Sequence, residues 1–432
     1  MQLLFCADLG TSALKAALID SSGVLHGYCR SPYETKESPL VWIGALGTAL
    51  QALGRQCPGA RASAFIVSGN GPTLVPVSPE AESLRPLYWY DPVDTLEGPS
   101  FFLPHVSAFR KQDPRGFART RLFFSPQAWL SWQLGAQMVT VLPHRGYGAF
   151  YWDVAQCESL GIDVKLFPPF VPMGQIIGTI RNGAGDETGL FRAGSPGHTL
   201  LPPGIPIVAG ASDFIMALIG TGSLEPGMVC NRTGSSEGIN VCVAKKPPEL
   251  PKKLRRSPEK APGDLRILPH AIEGLWNLGA VIKKSGKLLD DFRSAGHEEK
   301  SYAPLVTEIL TAPSHPGRAA LDAIGRSFLE ALGELEEAGF PVKELIISGS
   351  QSRSPLWNQY KADLSGCVFK VPEIPDAELG GNAVLGALAL ESPPEFAGAP
   401  DGAAIRKKTA ALIRIKETYY PASPAGLNSP GP

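Results

Sequence analysis

The sequence predicts an α/β protein of two domains, each built on a mixed sheet flanked by helices. Two segments far apart in the chain, QLLFCADLGTSALKAALID at 2–20 and GMVCNRTGSSEGINVCVA at 227–244, share one grammar: an apolar β-like run, a turn of Gly and hydroxyl residues, and a second apolar run. Elsewhere strand-like runs alternate with helix-like periodicity, the pattern of helices packed on a sheet. A chain of 432 residues also exceeds what one ordinary core accommodates.

Taken in order, the first hairpin continues through SSGVLHGYC as a meander, and ASAFIVSGNGPTLVPV reads as a strand pair. QAWLSWQLG reads as a short amphipathic helix, and PIVAGASDFIMALIGTG as strand, turn and helix. The basic, Pro-rich AKKPPELPKKLRRSPEKAPGD is a solvated loop. In PGRAALDAIGRSFLEALGELEEAG, Leu321, Ile324, Phe328, Leu332 and Leu335 share one helical face, and Gly339 stops the helix. KELIISGSQSRSPLWNQYKADLSG is strand, turn and helix, with Ser354 as N-cap and Pro355 at the first helical position. CVFKVPE is a strand, AELGGNAVLGALAL a small-residue helix, and the chain after its last two tyrosines is too poor in large apolar residues to pack.

A formal net charge of −1 argues against nucleic acid or an anionic membrane as the main partner. Seven cysteines without a CxxC pair suit buried or free thiols in a reducing compartment. MQLLFCADLG has no basic leader region and no apolar run has membrane-spanning length, so the expectation is a soluble cytoplasmic protein.

Neither GxGxxG nor GxxxxGK[ST] follows a strand. Instead Asp8, Gly10, Thr11, Ser12 and Lys15 surround one turn and Thr233, Gly234, Ser235 and Ser236 form another. Such turns converge backbone N–H groups and hydroxyls in a way that suits phosphate oxygens. Asp213 is a lone carboxylate among small and apolar residues, read either as a helix cap or as a proton acceptor at a strand end.

The blocks ADLGTSALKAALID, GIPIVAGASDFIMALIGTGSLEPGMVCNRTGSSEGI and LIISGSQSRSPLWNQYKADLSGCVF with DAELGGNAVLGAL resemble, in order and spacing, the FGGY carbohydrate kinases, xylulokinase-like members in particular, of the actin-like ATPase superfamily. The resemblance runs to about residue 390. It implies two actin-like (ribonuclease H-like) domains with an interdomain cleft, expected at 1–244 and 245–395 with a tail at 396–432. It makes Asp8, Gly10, Thr11 and Ser12 the first phosphate loop, Gly234, Ser235 and Ser236 the second, and Gly349, Ser350 and Gln351 the nucleotide-side turn. Asp213 falls on the catalytic base. Lys15 is read either as a phosphate ligand or as a solvated strand residue.

ATP and Mg²⁺ are the implied cofactors, with Asp8 holding the metal through water. On the acceptor side Asn70, Trp89, Asp91 and Asp213 are the expected contacts. The loop SGNGPTLVPV, Val93 in place of the family's Arg, His105 in place of its Lys, and a short 287–316 segment depart from the family pattern. The expected activity is transfer of the γ-phosphoryl of ATP to a hydroxyl of a small sugar or polyol, a ketopentose such as xylulose foremost. The alternative is a catalytically weak or inactive sugar- or nucleotide-binding sensor. Oligomeric state is left open, a homodimer included.

Overall fold

The computed structural model describes residues 2–93, 96–183, 195–234, 237–247, 265–282, 285–297, 301–391 and 400–422. The chain divides into two compact units: Met1–Gly220 with Ala271–Glu273 and Glu378–Leu412, and Thr221–His270 with Gly274–Ala377 and Ile413–Pro432.

The first unit is built on strands β1 (Leu3–Leu9), β2 (Ala13–Asp20), β3 (Leu25–Pro32), β4 (Ala62–Gly69), β9 (Ile176–Thr179) and β10 (Pro206–Ser212), ordered β3-β2-β1-β4-β10-β9. Two-stranded pairs β5 (Val75–Val77) with β6 (Leu122–Phe124) and β7 (Thr140–Leu142) with β8 (Phe170–Pro172) accompany it. β1 is buried from Leu4 to Leu9 without alternation, as expected of a central strand covered on both faces. The helix Ala377–Glu391 supplies part of that cover: a Cβ on its Gly386 would lie 2.5 Å from Ile66 Cδ1, and one on Gly381 would lie 2.1 Å from the Met216 carbonyl. Small residues let this helix approach closely.

The second unit has strands β11 (Val229–Thr233), β12 (Glu237–Val243), β13 (Arg266–Pro269), β14 (Trp276–Ile282), β15 (Glu344–Gly349), β16 (Val368–Pro372) and β17 (Ile415–Tyr419), ordered β13-β14-β12-β11-β15-β16-β17. Both sheets run through an antiparallel three-strand meander, two parallel strands and an antiparallel edge strand, and the second sheet adds β13 antiparallel to β14 outside its meander. The shared hairpin grammar is thus matched by a repeated topology. Leu321, Ile324, Phe328, Leu332 and Leu335 of the helix Arg318–Glu337 are all buried. Phe328 meets Phe369 of β16 at 5.8 Å between ring centroids, and truncating either ring to Ala would cost about 3–5 kcal/mol.

Ser354 caps the helix Pro355–Ser365 through Trp357 N, as expected. Three expectations need correction. The boundary at 244 assigned β11 and β12 to the first domain, yet they hydrogen-bond within the second sheet, and the chain returns to the first unit from Glu378. The expected tail 396–432 contains the helix Gly402–Leu412 and strand β17, which pairs with β16. QAWLSWQLG is buried nearly all round, because the helix Pro126–Leu134 packs on both β4 and β10. Most of the basic loop and the last ten residues lie outside the described residues.

Candidate active site

In the first unit, ladder register creates a row of side chains at one end of the sheet. Ser68 of β4 pairs with Asp8 of β1, Asp8 with Lys15 of β2, and Lys15 with Arg30 of β3, so all four share a face. Between Asp8 and Lys15 the chain turns through Gly10, Thr11 and Ser12, closed by Gly10 N donating to Ala13 O at 3.1 Å. Ser68 Oγ donates to Asp8 Oδ1 at 2.8 Å. Lys15 Nζ stands 3.6 Å from Asp8 Oδ2 and 3.8 Å from Glu378 Oε2, so it is a partly buried, ion-paired strand residue. Four residues beyond Glu378 on the same helix face, Asn382 donates to Ala7 O at 2.7 Å and Ser68 Oγ at 3.1 Å.

Burial dominates the ionisation of Asp8. Desolvation pushes its pKa up to about 7 against the pull of Lys15, and the nearby carboxylates of Glu378 and Asp213 push the same way while Ser68 opposes. Arg30, Glu378 and Asn382 went unnoticed in the sequence because their link to Asp8 is made by strand register and by a helix some 370 residues later.

Asp213 opens the helix Asp213–Thr221 directly after β10, and its Oδ1 accepts from Phe214 N at 2.6 Å. Its carboxylate thus lies at the start of its helix and shares electrostatics with Asp8. Asn70 is engaged within the protein: its Nδ2 donates to Leu9 O at 2.9 Å and its Oδ1 accepts from Thr73 Oγ1 at 2.5 Å. Trp89 is 38% exposed, and its indole Nε1 donates to Thr11 Oγ1 at 3.1 Å, joining it to the first turn. Asp91 accepts from Arg85 Nη1 at 2.9 Å and Nη2 at 3.3 Å and from Tyr88 N at 3.0 Å. A guanidinium thus comes from six residues before Asp91, where the sequence offers only Val93 after it. Three bonds leave one lone-pair direction, on Oδ1. His105 is buried with Nδ1 unpartnered, and desolvation holds its pKa below the usual value against the pull of Asp91.

In the second unit, Thr233 and the turn after β15 are locked together. Thr233 Oγ1 donates to Ser348 O at 2.6 Å and accepts from Gln351 N at 3.2 Å. Gly349 adopts φ +92°, and a Cβ there would lie 1.9 Å from Thr233 O. The glycine is required by this close approach of two backbones, independently of any ligand. Ser350 is exposed beside it, Gln351 Oε1 accepts from Trp357 Nε1 at 2.9 Å, and Gly234 is half-buried. Ser235 and Ser236 lie outside the described residues. Immediately after them Glu237 forms a fully buried ion pair with Lys361 and accepts from Asn231 Nδ2 at 2.9 Å.

Two sheets, each with an antiparallel meander leading into parallel strands and an antiparallel edge strand, make the two-domain actin-like fold, and solved structures share it. A xylulose kinase from Rhodospirillum rubrum superposes with a TM-score of 0.69 at 17% identity, covering 98% of this chain and 95% of that one. Residues 269–390 match the model of the C-terminal domain of the FGGY family of carbohydrate kinases. L-fuculokinase of Escherichia coli K12 is 26% identical over 253 residues, covering 53% of this chain and 51% of the relative. Glycerol kinase of Borrelia hermsii is 24% identical over 330 residues, covering 67% and 62%. The family match thus covers one segment of the chain, residues 269–390, and the chain spans about half the length of the fuculokinase it matches.

Among the described residues no helix is long and apolar enough to cross a membrane, and no three His, Cys, Asp or Glu side chains are grouped to hold a metal ion.

Proposed function

We propose that this protein is an ATP-dependent kinase that phosphorylates a hydroxyl of a small neutral sugar or polyol, with a ketopentose such as xylulose the first acceptor to test. The observation that carries this reading is Asp213, a carboxylate at the junction of β10 and its helix, electrostatically coupled to the Asp8 turn. The acceptor hydroxyl donates its proton to Asp213 as its oxygen bonds to the γ-phosphorus, and ADP leaves with the electrons of the broken P–O bond. Gly10, Thr11 and Ser12 supply donors to phosphate oxygens and Lys15 supplies positive charge. Gly234, Ser235 and Ser236 are assigned a second phosphate contact, and Gly349, Ser350 and Gln351 the nucleotide side. Trp89 and Asp91 are assigned to acceptor hydroxyls.

Asp8 suits a magnesium ion held through water: it is a single buried carboxylate whose nearest charged partners, Lys15 and Glu378, do not complete a dedicated cage. Magnesium bound there would neutralise charge developing on the phosphates.

A coupled ADP-release assay against ketoses, aldoses, polyols and glycerol tests the proposal. Acceptor-dependent release that falls at least about 100-fold in Asp213→Asn, with nucleotide binding retained, is the expected outcome. ATP binding without acceptor-dependent release from any compound would refute the kinase and leave a sensor.

A further inference from the structure

We propose that Gln127, with Ser125 beside it, is the specificity residue that hydrogen-bonds a hydroxyl of a neutral polyhydroxy acceptor. The inference rests on the reading of Asp213 as the acceptor-side base. Gln127 sits in the first turn of the nine-residue helix Pro126–Leu134, 4% exposed, and its Oε1 has no hydrogen-bond partner. Ser125, at the N-cap, makes no side-chain capping bond, and its buried Oγ is also unpartnered. Leaving buried polar atoms unpaired is unfavourable, so packing alone would favour an apolar side chain here.

Their position says what could repay that cost. Gly69, the last residue of β4, runs so close to this helix that a Cβ on it would lie 2.6 Å from Gln127 Oε1 and 3.2 Å from Gln127 N. Gly69 is paired in the sheet with Ser212, the residue before Asp213. Gln127 therefore packs on Gly69, whose strand partner Ser212 immediately precedes the base, with no side chain on Gly69 intervening. Asn70, the polar residue that sequence reading placed in this role, has both ends of its amide committed to Leu9 and Thr73. An amide and a hydroxyl carry no net charge and match the alternating donors and acceptors of a polyol better than they match a carboxylate or phosphate.

The test compares the full-length protein with Gln127→Met, which conserves length and packing but cannot accept a strong hydrogen bond. Thermal unfolding is followed with xylulose, fuculose, glycerol and, as an anionic control, gluconate, alongside ADP release. The expected result is an acceptor dissociation constant and KM weakened roughly 5- to 10-fold in Gln127→Met, an unchanged KM for ATP, and an unliganded melting temperature equal to or above the parent's. Gln127→Glu, which keeps an accepting oxygen, should restore part of the affinity. Polyol stabilisation by exclusion from the surface affects parent and variant alike and drops out of the comparison. Equal acceptor binding by parent and Gln127→Met, or no saturable binding of any neutral polyol by the parent, would overturn the inference. Loss of polyol binding in the variant without ADP release from the parent would uphold this site and refute the kinase.

Discussion

Asp8→Asn should make the ligand-free protein more stable at alkaline pH. Asp8 ionises near its ordinary 3.8 in the unfolded chain and near 7 in the folded one, so between those values the folded state holds a proton that the unfolded state has released. Its contribution is fully present below about pH 4 and is lost as pH rises through 7. A shift of three units corresponds to at most about 4 kcal/mol. Asn is neutral throughout and its Oδ1 can still accept from Ser68, so the variant avoids the cost of ionisation. Lys15 keeps Glu378 as a partner. Urea unfolding in chelator without nucleotide, at several pH values from 4.5 to 8.5, measures the difference. Parent and variant should converge at the acid end and separate by about 2–4 kcal/mol at the alkaline end, the variant being the more stable. Parallel profiles would refute the assignment of the raised pKa to Asp8 and with it the picture of a desolvated carboxylate kept ready for a cation.

Gly349→Ala should lower the melting temperature and cost at least about 1–3 kcal/mol, because it combines a positive φ with a collision at Thr233 O; an unchanged unfolding midpoint would show that the two turns are not locked. Lys361→Met strands the buried Glu237 carboxylate and should cost about 3–5 kcal/mol by urea unfolding, most of it recovered when Glu237→Leu is added, and a double variant no better than the single would sink the ion-pair account. Asp91→Ala should raise the KM of the acceptor roughly 10-fold while the KM for ATP stays put; equal acceptor KM values would leave Asp91 solely as the anchor of Arg85 and the Tyr88 turn.

Local chemistry was legible wherever it was written in neighbouring residues. The meanders, the Ser354 cap, the buried face from Leu321 to Leu335 and the helix opening at Asp213 all follow from periodicity and capping. Long-range partnerships were not. Nothing beside Asp8 announces that Glu378 and Asn382 will flank it, and nothing beside Asp91 announces that Arg85 folds back onto it. Gly349 was read through its expected ligand, whereas its backbone angle belongs to the meeting with Thr233. The second tail element was missed because β17, with its Lys and Glu residues, reads as polar until β16 supplies a ladder to join.

The return of Glu378–Leu412 to the first unit has a consequence for biosynthesis. On the ribosome, Ala7 and Ser68 emerge more than 300 residues before Asn382, whose amide bonds to both. The first unit must wait with Leu4 and Ile66 uncovered by Gly386's helix, while nearly all of the second unit is translated between. Such non-local closure is slow, and the exposed apolar sheet is a natural client for chaperones. A chain interrupted between residues 214 and 377 would carry Asp8 and Asp213 but lack Glu378 and Asn382, so nascent fragments are unable to complete the contacts around Asp8 prematurely.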